Sequence, residues 1–129
     1  MSNNKQINTS FLQEISKLIS NKDNEEIIGK IKNLHVADIA EILKKNSVSN
    51  VFGLQGGAVV HIFDSLIKKK INVTFTHHEE SAALAAVSNA KVCQEIGCAV
   101  VTTGPGSTNA LTGLLAAWQD SIPVIFISG

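Results

Sequence analysis

The sequence predicts an α/β protein in which a parallel β-sheet carries helices on both faces, preceded by a helical N-terminal extension. From Val51 onward, four short apolar runs alternate with three segments of helical periodicity, which is the pattern of a parallel sheet. The apolar runs are nearly continuous, as expected for strands covered on both faces. Charge is also uneven: residues 1–45 hold thirteen of the twenty-two charged side chains, whereas only Glu95 and Asp120 follow Val92. This division predicts a solvated helical front and a buried rear.

The N-terminal third has helical periodicity. Two apolar runs at one-face spacing are separated by the polar stretch "SNKDNEE" and comprise Phe11, Leu12, Ile15, Leu18, Ile19 and then Ile27, Ile28, Ile31, Leu34. A further run from Val36 to Leu43 leads toward the first strand without a Pro/Gly linker. We therefore predict a helical extension over residues 1–34 and a partial α/β domain over residues 35–129.

The remaining elements follow in order along the chain. "VFGL" is the first predicted strand, and the helix after it has an inward face of Val59, Ile62, Phe63, Leu66 and Ile67. "INVTFT" is the second strand, followed by an alanine-rich helix from Glu80 to about Cys93 that is suited to close packing. "CAVVTT" is the third strand, and a helix marked by Leu111, Leu114, Leu115 and Trp118 precedes the fourth strand, "PVIFIS".

Three polar or glycine-rich segments follow the first three strands: "QGG", "HHEE" and "GPGSTN". The carboxyl ends of parallel strands share one edge of the sheet, and ligands of such sheets bind beyond that edge. We therefore expect these segments to form the functional rim.

The "GPGSTN" segment admits several interpretations. Its glycines would let backbone approach a ligand, and a helix N-terminus would offer free N–H groups. A dinucleotide fingerprint is weakly supported, because Asn109 stands where the third glycine belongs and no acidic residue follows the next strand. A phosphate-binding P-loop is excluded by the missing Lys-Ser/Thr pair. A glycine turn with no function beyond its geometry stays open.

The "HHEE" segment carries the ionisable groups of this rim. Four adjacent residues at a strand end point in different directions, so they are poorly suited to converge on a metal. Glu80 fits a helix N-terminus, where its charge complements the dipole. Glu79 would lie against an apolar, alanine-rich surround, and burial there predicts a raised pKa.

Composition narrows the function classes. Eleven basic residues balance eleven acidic ones, so neither nucleic acid nor an anionic membrane surface is an expected partner. No apolar run reaches the ~20 residues that span a bilayer, and the N-terminus lacks the apolar region of a secretory signal. Cys93 and Cys98 form no CxxC pair and are interpreted as small buried hydrophobes, so we expect no metal ligands. A soluble, cytoplasmic protein is expected.

The three rim segments together resemble a known family. "VFGLQGGAVVHIFDSL", "HHEESAALAA" and "VTTGPGSTNALTGLLAAWQDSIPVIFISG" are similar, in order and spacing, to the N-terminal, pyrimidine-binding domain of thiamine-diphosphate-dependent enzymes, in particular the acetolactate synthase-like branch. The resemblance covers about residues 35–129. It implies an enzyme that decarboxylates a 2-oxo acid and joins the product to an acceptor carbonyl, with thiamine diphosphate as cofactor. FAD, which some acetolactate synthases use, has no support in the sequence.

The resemblance also implies residue roles. Glu79 matches the glutamate that hydrogen-bonds N1′ of the aminopyrimidine and thereby promotes loss of the thiazolium C2 proton. The other positions implied to line the cofactor are Gln55, Gly56, Gly57, His78, Gly104, Pro105, Gly106 and Asn109. Magnesium and the diphosphate would be held by a separate C-terminal domain with a Gly-Asp-Gly…Asn motif that nothing in this sequence matches.

Departures from the family pattern leave alternatives. After Ala85 and Ala86 the usual acidic and aromatic positions are Val87 and Asn89, and the sequence stops at "FISG", so we expect a fragment or truncated reading frame. Such a chain is expected to need a homo-oligomer or a complementary C-terminal domain and to be inactive alone. A non-catalytic remnant or interaction module with this fold is the alternative. "LHVADIAEIL" is also similar to a helical domain of certain magnesium transporters, which would make the N-terminal helices a fused module.

Overall fold

The part of the chain that the structure describes is built around a four-stranded parallel sheet. The structure is a computed structural model that describes residues 34–129. Its strands are β1 (Asn50–Gly53), β2 (Asn72–Phe75), β3 (Gly97–Val101) and β4 (Val124–Ser128), in the spatial order β2-β1-β3-β4. The predicted α/β class with a parallel sheet is thereby confirmed. Apart from Leu34, the predicted helical extension lies outside the described residues.

Within residues 34–129, five helices flank the strands: α1 (Val36–Lys45), α2 (Val60–Lys68), α3 (Glu79–Cys93), α4 (Pro105–Asn109) and α5 (Leu111–Gln119). Two differ from the sequence prediction. The alanine-rich helix begins at Glu79, because the His78 side chain caps it. The "GPGSTN" segment is a one-turn helix rather than a turn, and Pro105 at its start has the fixed φ that suits a first helical residue.

The order of the strands separates the helices into two layers. The chain passes from β1 to β2 at one edge through α2, then back across β1 to β3 through α3, and on to β4 through α5. Because connections between parallel strands are right-handed, α2 lies on one face of the sheet and α3 and α5 lie on the other, and α1 packs with α2. The side chains of β3 alternate accordingly: Cys98 and Val100 belong to the cluster with α1 and α2, whereas Val101 packs with Ala83 and Ala110. Helices therefore cover both faces, as the apolar strands predict.

Large side chains fill the face covered by α1 and α2. Leu43, Phe63 and Leu66 are almost fully buried there, together with Val51 of β1. The Phe63 ring meets Phe75 edge to face, with 5.0 Å between the ring centroids. This layer forms the larger of the two apolar clusters found among residues 34–129.

Small residues fill the opposite face. Ala82, Ala83, Ala86 and Ala90 of α3 are buried, and a Cβ built on Gly113 of α5 would collide with Ala83. Helices α3 and α5 therefore approach each other more closely than larger side chains would permit.

The two cysteines differ in environment. Cys98 is buried in β3, and burial raises the pKa of its thiol to about 12. Cys93 is exposed at the last turn of α3, so the prediction that both cysteines are buried is wrong for this one. Between residues 34 and 129, no helix is long and apolar enough to cross a bilayer.

Candidate functional site

Glu79 begins helix α3 just beyond the end of β2, and a local hydrogen-bond network sets this entry. The Thr76 amide donates to the Gly53 carbonyl at 2.8 Å, which carries the β1–β2 ladder one residue past the strand. Thr76 Oγ1 donates to the His78 carbonyl at 2.8 Å, and His78 Nδ1 accepts from the Glu80 amide at 3.2 Å. These contacts hold the first turn of α3 against the carboxyl edge of the sheet.

The four residues of "HHEE" do point in different directions. His77 and His78 are exposed, Glu80 is half-buried, and Glu79 is only 9% exposed. His78, predicted to line the cofactor, uses Nδ1 to cap its own helix. Among residues 34–129, no three His, Cys, Asp or Glu side chains are grouped so that they could hold a metal ion.

Glu79 is tied to the segment that follows β3. Asn109 Nδ2 donates to Glu79 Oε2 at 3.0 Å. The other carboxylate oxygen, Oε1, lies beside Gly106, where an added Cβ would stand 3.2 Å from it. Glu79 and Asn109, which are 30 residues apart in the sequence, therefore meet in the fold. The Glu79 carboxylate brings together three predicted site residues: Glu79, Gly106 and Asn109.

The pKa of Glu79 corrects one sequence prediction. The hydrogen bond from Asn109 is the main cause that lowers this pKa, followed by the backbone N–H of Glu79, while desolvation opposes them and His78 adds a smaller lowering effect. The predicted raised pKa is therefore wrong for the protein without a ligand. The alanines that suggested an apolar niche lie on the sheet side of α3, whereas the carboxyl faces an amide donor.

The two glycine segments come together around Thr102. A Cβ on Gly56 would lie 2.5 Å from the Thr102 Cβ, and a Cβ on Gly106 would lie 2.8 Å from the Thr102 Cγ2. Only residues without side chains allow this packing. Gly56 is thereby linked through Thr102 to Gly106 and to the Glu79 carboxylate.

The remaining predicted residues lie exposed on the same edge: Gln55, Gly57, Gly104 and Pro105. Gly104 has φ +69°, a conformation that favours glycine, and a Cβ on either Gly57 or Gly104 would meet nothing within 4 Å. This side of the site is open to solvent.

The sequence did not point to Thr102, and it pointed to Ser107 only as part of the rim segment "GPGSTN". Ser107 Oγ donates to the Thr102 carbonyl at 3.0 Å and contacts Ser128 Oγ at the end of β4. Threonine and serine are ordinary residues at a strand end and in a turn, so no signal in the sequence marked either side chain individually. Their importance arises from contacts between segments that only the folded chain brings together.

Comparison with known proteins identifies the family of the chain. Residues 35–129 match the family model described as thiamine pyrophosphate enzyme, N-terminal TPP binding domain. The acetolactate synthase large subunit of Cyanidium caldarium is 42% identical over 95 residues, which are 70% of this chain and 16% of that protein. The isozyme 2 large subunit of Escherichia coli K12 is 38% identical over 91 residues, 70% of this chain and 17% of that protein.

A probable acetolactate synthase large subunit of Methanocaldococcus jannaschii is 40% identical over 91 residues, again 70% of this chain but 15% of that protein. The chain thus spans only a small part of the length of these curated relatives. Since the family match extends over most of its residues, the chain belongs to the thiamine pyrophosphate (thiamine diphosphate) enzymes, and residues 35–129 are an N-terminal cofactor-binding domain of the acetolactate synthase-like kind.

Proposed function

We propose that residues 35–129 supply the pyrimidine-binding half of a thiamine diphosphate site in an enzyme that decarboxylates a 2-oxo acid and transfers the product to an acceptor carbonyl. The observation that carries this proposal is the buried Glu79 carboxylate, held by Asn109 on one oxygen and bordered by Gly106 on the other. Residues 1–34 would be an extension outside this half-site.

The residues at this edge fit an aminopyrimidine ring. The missing side chain of Gly106 leaves backbone next to Glu79, since a Cβ there would crowd Oε1, and Gly56 packs against the same Thr102 side chain as Gly106. A carboxylate accepts a hydrogen bond from a protonated ring nitrogen or shares its proton. Gln55, Gly57, His78, Gly104 and Pro105 are proposed to border the same ligand. The bound cofactor would supply the electron sink that decarboxylation of a 2-oxo acid requires.

The proposed task of Glu79 is to exchange a proton with that ring. Its pKa is lowered in the open site, mainly because Asn109 stabilises the charged form. A ring covering the carboxylate would displace water and raise this pKa by desolvation. The two partners would then approach equal proton affinity, the condition in which general acid–base exchange is efficient.

We propose that magnesium and the diphosphate are held by a different domain, so that the 129-residue chain alone is inactive. FAD is assigned no residues. The expected partners are a second copy of the chain or a complementary diphosphate-binding domain. The exposed apolar face of α5, which comprises Leu111, Leu114, Leu115 and Trp118, supports such an assembly. A cytoplasmic setting is proposed because Cys93 and Cys98 are both free thiols, as is usual in a reducing compartment.

A titration of the ¹⁵N-labelled chain with thiamine diphosphate and Mg²⁺ tests the site. We expect amide shifts at residues 55–57, 78–80 and 104–109, with a Kd on the order of 1 mM because only ring contacts are available. Glu79→Gln should abolish these shifts. Glu80→Gln, its matched neighbour, should retain them. Shifts at other residues only, or equal shifts in Glu79→Gln, would contradict the assignment.

The assembly is tested separately by sedimentation of the chain at increasing concentration. We expect concentration-dependent association that Leu115→Ser and Trp118→Ser reduce, because each removes apolar surface from the exposed α5 face. A monomer at all concentrations would argue against a second copy as the occupant of this face and leave a separate domain as the proposed partner.

A further inference from the structure

We propose that Asn109 is a positioning residue that grips Glu79 by Oε2 and so presents Oε1, beside Gly106, to the ring nitrogen of the ligand. The ligand in this statement rests on the proposed function. The grip itself rests on the contact between Asn109 Nδ2 and Glu79 Oε2 and on the place of Oε1 next to Gly106. This differs from a direct contact of Asn109 with the cofactor, the role that the family resemblance implies.

The helix that carries Asn109 is anchored to the end of β3. The Gly104 carbonyl accepts from the amides of Ser107 and Thr108 at 3.0 and 3.2 Å, and Thr108 Oγ1 donates to the Pro105 carbonyl at 2.9 Å. Ser107 Oγ ties the same turn to the Thr102 carbonyl. The end of β3 therefore fixes the position of Asn109, and the hydrogen bond from Asn109 in turn fixes the Glu79 carboxylate on α3.

An amide suits this task because of its donor. A carboxylate can only accept, so Nδ2 is the atom of Asn109 that must face it, and the bond makes the two carboxylate oxygens inequivalent. An aspartate at position 109 would oppose a second carboxylate to Glu79. An alanine would leave Oε2 without this donor and the carboxylate freer to rotate.

Few ionisable groups compete with Asn109 for influence on Glu79. His77, His78 and Glu80 are its neighbours in the chain. The segment that contacts its carboxylate, residues 102–109, contains no ionisable side chain, and neither do residues 53–58 or helix α5. Cys98 of β3 belongs to the cluster on the opposite face of the sheet. Removal of the Asn109 side-chain amide should therefore change the pKa of Glu79 directly.

The test is a ¹³C titration of the glutamate side-chain carboxyls in the 129-residue chain without cofactor. In Asn109→Ala the midpoint of Glu79 should rise toward its ordinary value of 4.5, and in Asn109→Asp it should rise further through like-charge repulsion. Thr112→Ala, an exposed substitution one turn along, should leave it unchanged. An unchanged midpoint in Asn109→Ala, with a dispersed amide spectrum that proves the fold intact, would overturn the proposal.

Two further measurements make failures distinguishable. Asn109→Gln keeps the amide but places it one methylene farther out, so the pKa of Glu79 should stay partly lowered. This variant keeps the test decisive if Asn109→Ala does not fold. Titration with thiamine diphosphate and Mg²⁺ should show roughly tenfold weaker binding in Asn109→Ala. If the Glu79 midpoint changes but the ligand has no effect at the site, the positioning role of Asn109 stands and the proposed ligand is wrong. If the ligand binds normally and the midpoint is unchanged, only the positioning role of Asn109 is wrong.

Discussion

Helices α2 and α5 have the same apolar spacing in the sequence but opposite environments in the structure. In α2, Ile62, Phe63 and Leu66 are buried between the sheet and α1. In α5, the four residues at matching spacing are exposed, with Leu115 at 56% and Trp118 at 82%. Both helices were predicted from this periodicity, and both exist.

The difference lies in which residues each helix buries. Helix α5 packs through its small residues. Gly113 fits against Ala83, and Ala117, four residues later in the same helix, is also buried. Close backbone approach replaces large side chains on this face of the sheet. Even α2 departs from its pattern, since Ile67, predicted to point inward, is 58% exposed. Periodicity thus identifies a helix, but the size of its neighbours decides which face is covered.

The largest expected effect is on the side of α2. Phe63→Ala should lower the free energy of unfolding by about 3–5 kcal/mol, because it leaves a cavity against Gly53 and Phe75 in the larger apolar cluster. Urea denaturation of the chain, followed by far-UV circular dichroism, measures it. A loss below about 1 kcal/mol would mean that this face is not the tightly packed one.

The second prediction concerns the contact between α3 and α5. Gly113→Val should lower the free energy of unfolding by roughly 1–3 kcal/mol, because the new side chain has no room against Ala83. Gly57→Ala is the matched control, since a Cβ there meets nothing within 4 Å. Equal denaturation midpoints for the two variants would show that small residues do not set the distance between these helices.

The third prediction is pH-dependent and concerns the carboxyl edge. Because the pKa of Glu79 is lower in the folded chain than its ordinary value of 4.5, its carboxylate stabilises the fold above that value and loses this effect as pH falls through the folded pKa. Asn109→Ala should therefore cost about 1 kcal/mol at pH 7 and less at acid pH, because the hydrogen bond requires the carboxylate.

Unfolding curves of both proteins at several pH values measure this dependence. A cost of Asn109→Ala that stays constant down to strongly acid pH would mean that the variant acts through packing rather than through the charge of Glu79.

The smallest effect is expected on the exposed face of α5. Trp118→Ala should change the free energy of unfolding of the monomer by no more than about 0.5 kcal/mol, because most of the indole is already in solvent. Dilute-solution denaturation measures it. A cost comparable to that of Phe63→Ala would contradict the contrast between the two helices.

The carboxyl edge had a similar division between predictable and unpredictable features. The order of strands and helices placed "QGG", "HHEE" and "GPGSTN" on one rim, since parallel strands all end at the same edge. The contact between Asn109 and Glu79, and Thr102 between the glycines, could not be anticipated, because they depend on the side-chain directions of segments far apart in sequence. The wrong prediction of a raised Glu79 pKa has the same origin. The sequence shows the alanines that follow Glu79, but it does not show that the Asn109 amide lies against its carboxylate.

The sequence alone determined the α/β class, the alternation of elements and the identity of the three rim segments, because these depend on local periodicity and on glycine and strand composition. Only the tertiary structure decided that α5 buries its small residues, that Glu79 is gripped on one oxygen by Asn109, and that Thr102 fills the space left by Gly56 and Gly106. The physical reason is that burial and proton affinity depend on atoms contributed by distant segments, whose distances no local pattern specifies.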